Sequence, residues 1–246
     1  MNLRQHIPNM LTIANLICGS IAVIFVSQFF DETATIFLVF LAAFFDLLDG
    51  AVARALKVSG EMGKQLDSLA DVVSFGLLPT VVIYKMLEIA LPGNLIYLKY
   101  LAFLNVACAA IRLAKFNIST DQTHDFIGMP SPANGIFWAS VLAIYTWSNL
   151  LAGVGFEHHP QPSLIFTLTM LFVTSLLMVS KVRMFSFKLK PGGYRTNTLP
   201  YLFFGVIIII ATISLFAWKN LLMAVPMCIV AYMLFSLVYH TLRRPV

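Results

Sequence analysis

Charged residues are scarce in this chain. Only 11% of its 246 residues are Asp, Glu, Lys or Arg, whereas 59% are hydrophobic and the mean hydropathy is +0.86. A soluble domain carries about 25% charged residues. The composition therefore excludes an ordinary water-soluble enzyme and predicts an integral membrane protein.

Cysteine is also rare, and its placement excludes two kinds of site. Cys18, Cys108 and Cys228 are isolated from one another, and each falls inside an apolar run. This pattern provides neither a disulfide framework nor a zinc-binding motif. The net charge of +5 does not require nucleic acid as a partner. Positive charge at the inner membrane face, with attraction to anionic membrane lipid, explains it.

Apolar runs account for nearly the whole chain. A membrane-spanning helix needs about 20 mostly apolar residues, and about eight runs meet this length. They are 10–30, 34–55, 67–90, 95–116, 132–152, 163–181, 198–217 and 220–241. We therefore expect an all-α, polytopic helix bundle in which residues 1–246 form a single domain. No convincing small-residue cleavage site follows the first run, so we expect it to remain uncleaved.

The basic residues predict the orientation. If the helices simply alternate, one side of the membrane carries most of the Lys and Arg residues, including Arg4, Arg54, Arg112, Arg183 and Arg243. Cytoplasmic loops carry the excess of such residues. We therefore expect both termini on the cytoplasmic side of the inner membrane. The segments 188–197 and 156–162 are expected to be a cytoplasmic loop and an outer loop.

Four aspartates interrupt the second and third apolar runs. A carboxylate near the centre of a bilayer costs about 2.5–3.5 kcal/mol, so a cluster of four requires compensating charge. Asp46 and Asp49 share one helix stripe with Gly50 and Ala53, and Gly63, Asp67 and Asp71 share another. Two facing helices would direct these carboxylates into a common cleft close to the cytoplasmic interface.

A site with carboxylate ligands alone favours hard cations such as Mg²⁺, Mn²⁺ or Ca²⁺. Four acids have enough oxygens for two ions, which would clamp a phosphoryl group during its displacement. Gly50, Ala53 and Gly63 leave room for a bulky ligand close to the backbone. The guanidinium of Arg54 suits phosphate oxygens. A different class of protein, a cation- or proton-coupled transporter, also uses carboxylates within the membrane.

The complete series is Asp-x₂-Asp-Gly-x₂-Ala-Arg-x₈-Gly-x₃-Asp-x₃-Asp, from Asp46 to Asp71. On this motif the chain resembles the CDP-alcohol phosphatidyltransferase family. The resemblance implies a polytopic, homodimeric membrane enzyme that transfers a phosphatidyl group from a CDP-linked lipid to an alcohol and releases CMP. It also implies that Asp46, Asp49 and Asp67 bind divalent cations. Asp71 would be both a metal ligand and the base that accepts the alcohol proton.

Segments outside the motif resemble the serine-using branch of the family. They include Ile7–Leu16, Ile111–Asn117 and Phe126–Pro132. The resemblance implies CDP-diacylglycerol as the donor and L-serine as the acceptor. Another acceptor, glycerol-3-phosphate or an inositol phosphate, is the alternative within the family. Such a dianion would need additional positive charge in its pocket.

The resemblance also suggests binding roles for further residues. Those assigned to the CDP-lipid are Asn9, Thr12, Gly50, Ala53, Arg54 and Gly63, although Asn9 and Thr12 also fit a helix start. Those assigned to the serine carboxylate or to phosphate are Arg112, Lys115, Asn117 and Arg183. Basic residues that reach the membrane interface would explain the cations among them equally well.

Overall fold

The computed structural model describes residues 3–29, 31–58, 60–118, 126–152, 160–184, 198–218 and 221–242. Nearly all of these residues are helical. The α-helices are α1 (Leu3–Ile24), α2 (Glu32–Ala55), α3 (Glu61–Asp71), α4 (Leu78–Ala90), α5 (Phe103–Ile118), α6 (Ser131–Ala152), α7 (Pro160–Val179), α8 (Thr198–Trp218) and α9 (Ala224–Leu242). A π-helical turn at Phe25–Phe29 extends α1, another at Val72–Leu77 joins α3 to α4, and 3₁₀ turns at Gly93–Ala102 and Leu221–Met223 precede α5 and α9.

The predicted helical membrane architecture is confirmed. Six stretches in the described part are long and apolar enough to cross a membrane: His6–Phe29, Thr33–Ala55, Glu61–Ala90, Gly93–Ile118, Leu199–Ala217 and Leu221–Tyr239. Helix α6 covers the predicted segment 132–152, and α7 covers the predicted segment 163–181 except for its last two residues. The orientation of the helices in the membrane is a prediction from the basic residues.

Two helix starts lie earlier than the hydropathy predicts. The first helix begins at Leu3, which places Pro8 and Asn9 inside it and corrects the expectation that they open it. The third begins at Glu61, six residues before the predicted start. In both cases the apolar run marks where a helix can enter hydrocarbon. The helix itself continues into polar sequence that water or headgroups can solvate.

The connection between α2 and α3 lies beside the aspartate motif. After α2 the chain turns through Leu56 and Lys57, and Lys57 adopts a left-handed backbone with φ of 52°. The amide of Val58 then donates to the carbonyl oxygen of Ala53 over 3.0 Å, which satisfies a carbonyl at the helix end. Gly60 directly precedes α3. Ser59, between Val58 and Gly60, lies outside the described residues.

Apolar packing and a short strand pair position the later helices. In one cluster, Val82, Ile83 and Leu87 of α4 pack with Phe137 and Trp138 of α6. A second cluster joins α5, α7, α8 and α9. The only strands in the described ranges, β1 (Phe126–Ile127) and β2 (Arg183–Met184), pair antiparallel and connect the start of α6 to the end of α7.

Candidate active site between the first three helices and α6

Three carboxylates converge where α2 and α3 face each other. One oxygen each of Asp46, Asp49 and Asp67 lies within 4.8 Å of the others. Oxygens on opposite sides of one hard cation are about 4–5 Å apart, because each lies about 2.0–2.6 Å from the ion. Among the described residues no Lys or Arg forms an ion pair with these three acids. Their spacing and unbalanced charge both fit a divalent cation.

Asp49 is held in place by the first helix. It is buried, and the hydroxyl of Thr12 lies 2.5 Å from its Oδ2. The same hydroxyl lies 3.1 Å from the carbonyl oxygen of Pro8, one turn earlier in α1. A hydroxyl has a single proton, so it can donate to only one of these oxygens at a time. The contact ties α1 to the acidic stripe of α2.

Asp71 has different partners from the other three acids. It is 7% exposed, and its electrostatic neighbours are Asp46 and Asp67 on one side and the guanidinium of Arg112 on the other. The hydroxyl of Ser131 donates to Asp71 Oδ2 over 3.3 Å. Arg112 Nη1 in turn donates to Ser131 Oγ over 3.0 Å. Within this series of hydrogen-bonded side chains, Asp71 Oδ1 and Arg112 Nε are buried and have no hydrogen-bond partner in the described structure.

A cavity of about 630 Å³ lies beside the three converging carboxylates. This volume falls within the range of about 300–1,000 Å³ that is usual for small-molecule sites. All six residues suggested for the CDP-lipid line it: Asn9, Thr12, Gly50, Ala53, Arg54 and Gly63. Asp49 and Asp67 contribute to its wall, whereas Asp46 and Asp71 do not. The structure therefore brings together residues that are up to 59 positions apart along the chain, namely Pro8 and Asp67.

The absence of a side chain matters at Gly63 more than at Gly50. A Cβ atom built on Gly63 would lie 3.2 Å from Asn9 Oδ1, so the neighbouring side chain would have to move. A Cβ on Gly50 would lie 3.5 Å from Arg54 Nη1, which is an ordinary contact distance. Gly63 thus permits α1 to approach α3 at the cavity wall, whereas a Cβ atom at Gly50 would fit beside Arg54 without displacing it.

The α5 residues suggested for the acceptor are not brought together. Arg112 lies beside Asp71, as described above, whereas Lys115 is exposed and is not part of the cavity wall. The side-chain amide of Asn117 donates to Ser68 Oγ over 2.7 Å. The backbone carbonyl oxygen of Asn117 accepts from Lys64 Nζ over 2.6 Å. Asn117 therefore joins the end of α5 to α3. Arg183 lies in β2, and its side chain is outside the described part.

Three site residues were not assigned by the sequence analysis. The sequence analysis included Ser131 only within the segment Phe126–Pro132, and it assigned no role to Lys57 or Lys64. Lys57 and Lys64 both line the cavity. Their position between the two halves of the aspartate motif was the signal available in the sequence. Nothing local identified Ser131, because its contact with Asp71 spans 60 residues. The segments 188–197 and 156–159, including His158 and His159, lie outside the described residues.

The sequence of this chain matches the model of a known family. The sequence model of the family described as CDP-alcohol phosphatidyltransferase matches residues 5–173. This region contains the complete aspartate motif, the α1 segment with Asn9 and Thr12, and also Arg112 and Ser131.

Several curated relatives carry the name CDP-diacylglycerol–serine O-phosphatidyltransferase. The protein of that name from Bacillus subtilis is 37% identical over 153 residues, which cover 61% of this chain and 82% of the relative. The one from Methanocaldococcus jannaschii is 30% identical over 184 residues, covering 70% and 82%. The one from Mycobacterium leprae is 34% identical over 188 residues, covering 73% of this chain but only 58% of the relative.

Proposed function

Because the chain belongs to the CDP-alcohol phosphatidyltransferase family, and is therefore a multi-pass membrane transferase, we propose that it makes phosphatidylserine. The hydroxyl oxygen of L-serine attacks the phosphorus that carries diacylglycerol in CDP-diacylglycerol. The bond from that phosphorus to the oxygen bridging it to CMP breaks, and CMP leaves. The observation that carries the proposal is the convergence of Asp46, Asp49 and Asp67 beside a cavity of nucleotide size.

The wall of the cavity supports a diphosphate ligand. Arg54, Lys57 and Lys64 all line it, so positive side chains surround the space next to the carboxylates. A planar guanidinium can bind two phosphate oxygens at once, and the ammonium groups act as point charges. Pro8, Asn9 and Thr12 form the α1 side of the wall. We assign the cytidine to this side and the acyl chains to the membrane.

Asp46, Asp49, Asp67 and Asp71 would hold Mg²⁺ or Mn²⁺, and we propose two ions per site. Carboxylate oxygens without Cys or His favour these hard cations. When bound, the ions supply positive charge to the diphosphate and to the departing CMP. The protein itself orients the ligands and makes room for the donor. Thr12 orients Asp49, and the small residues on the two stripes leave space for the CDP-lipid.

Asp71 is the proposed general base. The hydroxyl of serine is a weak nucleophile at neutral pH, so a base beside it is needed. Asp71 is buried next to Asp46 and Asp67, and its Oδ1 has no partner in the described structure. This oxygen is free to accept the proton as the new phosphate ester bond forms.

Arg112 is the proposed contact for the carboxylate of serine. Its Nη1 donates to Ser131, which leaves Nε and Nη2 to form a paired contact with a carboxylate. Nε is buried and has no partner within the described structure. An acceptor bound there would place its hydroxyl group on the Asp71 side of the cluster. Lys115, Asn117 and Arg183 have weaker support for this role.

The proposed location follows from the distribution of basic residues, and the proposed assembly from the resemblance to the family. We propose that the enzyme lies in the inner membrane as a homodimer, with its site facing the cytoplasm. The excess of basic residues near the motif supports this orientation. CDP and serine are water-soluble and would enter from that side, while the lipid tails remain in the bilayer.

The proposal can be tested with purified protein. Wild-type enzyme would be incubated with CDP-diacylglycerol, Mg²⁺ or Mn²⁺, and one labelled acceptor at a time: L-serine, glycerol-3-phosphate or an inositol phosphate. We expect CMP release and labelled lipid with L-serine only. Release of CMP with a phosphorylated acceptor alone would replace serine by that acceptor. Ion transport by reconstituted protein without any CMP release would replace the transferase by a transporter.

A further inference from the structure

The start of α6 is fixed by backbone contacts to α7 and the segment after it. The amide of Gly128 donates to the carbonyl oxygen of Val182 over 2.9 Å, and that of Met129 donates to Leu177 over 3.1 Å. Gly128 has φ of 74°, and a Cβ atom there would lie 2.6 Å from the carbonyl oxygen of Met178. Only glycine fits this position without strain. Ser131, three residues later, therefore begins α6 at a defined place.

The first turn of α6 then contacts α3 and its π-helical extension at two points. Ser131 and Asn134 are three positions apart and share one face of α6. Ser131 donates to Asp71, and the amide of Asn134 donates to the carbonyl oxygen of Phe75 over 3.0 Å. Asp71 and Phe75 are four positions apart. The two helices are thus joined by two parallel contacts, one at the carboxylate and one at the backbone one turn further on.

The Phe75 carbonyl has no α-helical donor at residue i+4. Pro79, four residues later, has no N–H to donate to it. Asn134 supplies a donor instead, and its amide also forms a reciprocal pair with Asn105 of α5, at 3.0 and 3.2 Å. All three groups are buried. The contact between Ser131 and Asp71 therefore lies at the end of a rigid, hydrogen-bonded interface.

The hydroxyl of Ser131 has its direction set by Arg112. It accepts a hydrogen bond from Arg112 Nη1, so its single proton is left for Asp71 Oδ2. Ser131 is 1% exposed, and hence water does not compete for this proton. One oxygen of the Asp71 carboxylate is engaged, and the other is not.

We propose that Ser131 is a positioning residue for the reaction, which fixes Asp71 so that Oδ1 is the oxygen presented to the acceptor hydroxyl. This inference rests on the proposed role of Asp71 as the base. In the transfer step the proton moves from the acceptor oxygen to Asp71 Oδ1, while the proton of Ser131 stays on Ser131 Oγ and continues to hold Oδ2. Ser131 itself neither touches the substrate nor changes its bonding.

The test compares three variants of the full-length enzyme. Ser131→Ala removes the hydroxyl, Ser131→Thr retains it, and Ser140→Ala is the matched control. Ser140 is buried in the same helix, and its hydroxyl donates to the carbonyl oxygen of Ile136 over 2.7 Å. For each protein we would measure kcat, KM for both substrates, the Kd for CDP with Mg²⁺ or Mn²⁺, and the unfolding temperature.

For Ser131→Ala we expect kcat to fall about tenfold or more, as part of the 10²–10⁴-fold that a general base contributes. The Kd for CDP and the unfolding temperature should stay close to the wild-type values, because the cavity does not include Ser131. Ser131→Thr should recover most of the lost kcat, and Ser140→Ala should resemble wild type in every measurement.

Three results would overturn the inference. They are a kcat of Ser131→Ala within threefold of wild type, a loss of CDP affinity and unfolding temperature in step with kcat, and a folded Ser131→Thr enzyme no faster than Ser131→Ala. Failure of the proposed function looks different. In that case the wild-type protein itself releases no CMP with any acceptor.

Discussion

Asn134 of α6 donates a 3.0 Å hydrogen bond from its side-chain amide to the backbone carbonyl oxygen of Phe75, in the π-helical turn that follows Asp71. π-Helical turns inside longer helices are frequent at functional sites. Here a proline four residues later cannot supply the α-helical donor, and a side chain from another helix donates to the same carbonyl. The helix that carries the proposed base is therefore held in register by α6.

This relationship predicts a loss of stability in Asn134→Ala. The substitution leaves both the Phe75 carbonyl and the Asn105 amide without their partner in a buried environment. Each orphaned group costs about 1–3 kcal/mol, so the unfolding free energy in detergent should fall measurably. Asn105→Ala alone should lower the unfolding free energy less, since Asn134 would still donate to the Phe75 carbonyl oxygen. A double mutant as unstable as the sum of the two single variants would contradict the coupling between the amides.

The metal assignment predicts the effect of removing charge from the carboxylates. Asp46→Asn, Asp49→Asn and Asp67→Asn should each reduce CMP release at least about 100-fold, since each weakens a site without ligands of another type. The proteins should still insert into the membrane, because an amide costs less to bury than a carboxylate. Full activity in EDTA, or near-normal turnover by two of the variants, would exclude the metal site.

Asp71→Asn should separate turnover from donor binding. The three other acids still converge without it, and the cavity wall does not contain Asp71. Turnover with saturating serine should therefore fall by about 10²–10⁴-fold, whereas binding of CDP-diacylglycerol with metal present and serine absent should change far less. If binding falls in parallel with the rate, Asp71 acts mainly as a metal ligand. Unchanged turnover would remove Asp71 from the mechanism.

Gly63→Ala should impair use of the donor lipid. The new Cβ atom would lie 3.2 Å from Asn9 Oδ1 and would displace α1 or the Asn9 side chain at the cavity wall. Because misplacement of a binding group by about 1 Å can cost up to about 10²-fold, we expect kcat/KM for CDP-diacylglycerol to drop tenfold or more. Gly205→Ala is the control, since a Cβ on this α8 glycine meets nothing within 4 Å. Equal effects of the two substitutions would argue against a local cause at the cavity.

The predicted orientation can be measured by cysteine labelling. Cys18 and Cys108 are buried and Cys228 is partly buried, so all three would first be replaced by Ala or Ser. An impermeant thiol reagent added outside should then label a cysteine introduced in 156–162 but not one introduced in 188–196. The reverse pattern would place the aspartate motif on the outer face and contradict a cytoplasmic active site.

Most of the fold followed from local sequence. Eight apolar runs of spanning length predict eight helical segments, since in hydrocarbon a chain must satisfy its backbone hydrogen bonds within each helix. Helix starts were less predictable. Leu3 and Glu61 precede the apolar runs because polar sequence can remain helical outside the bilayer.

The motif spacing alone placed Asp46, Asp49 and Gly50 on one stripe and Gly63, Asp67 and Asp71 on another, because α-helical periodicity depends only on position in the chain. The tertiary structure decided which residues of other helices meet these stripes. It brought Thr12 to Asp49, 37 residues away, and Ser131 to Asp71, 60 residues away. It also divided the four acids into three that converge and one, Asp71, that lies beside Arg112. Such contacts arise from the packing of whole helices. Residues such as Gly63 and Asn134 set the distances between those helices, and no local sequence pattern encodes these distances.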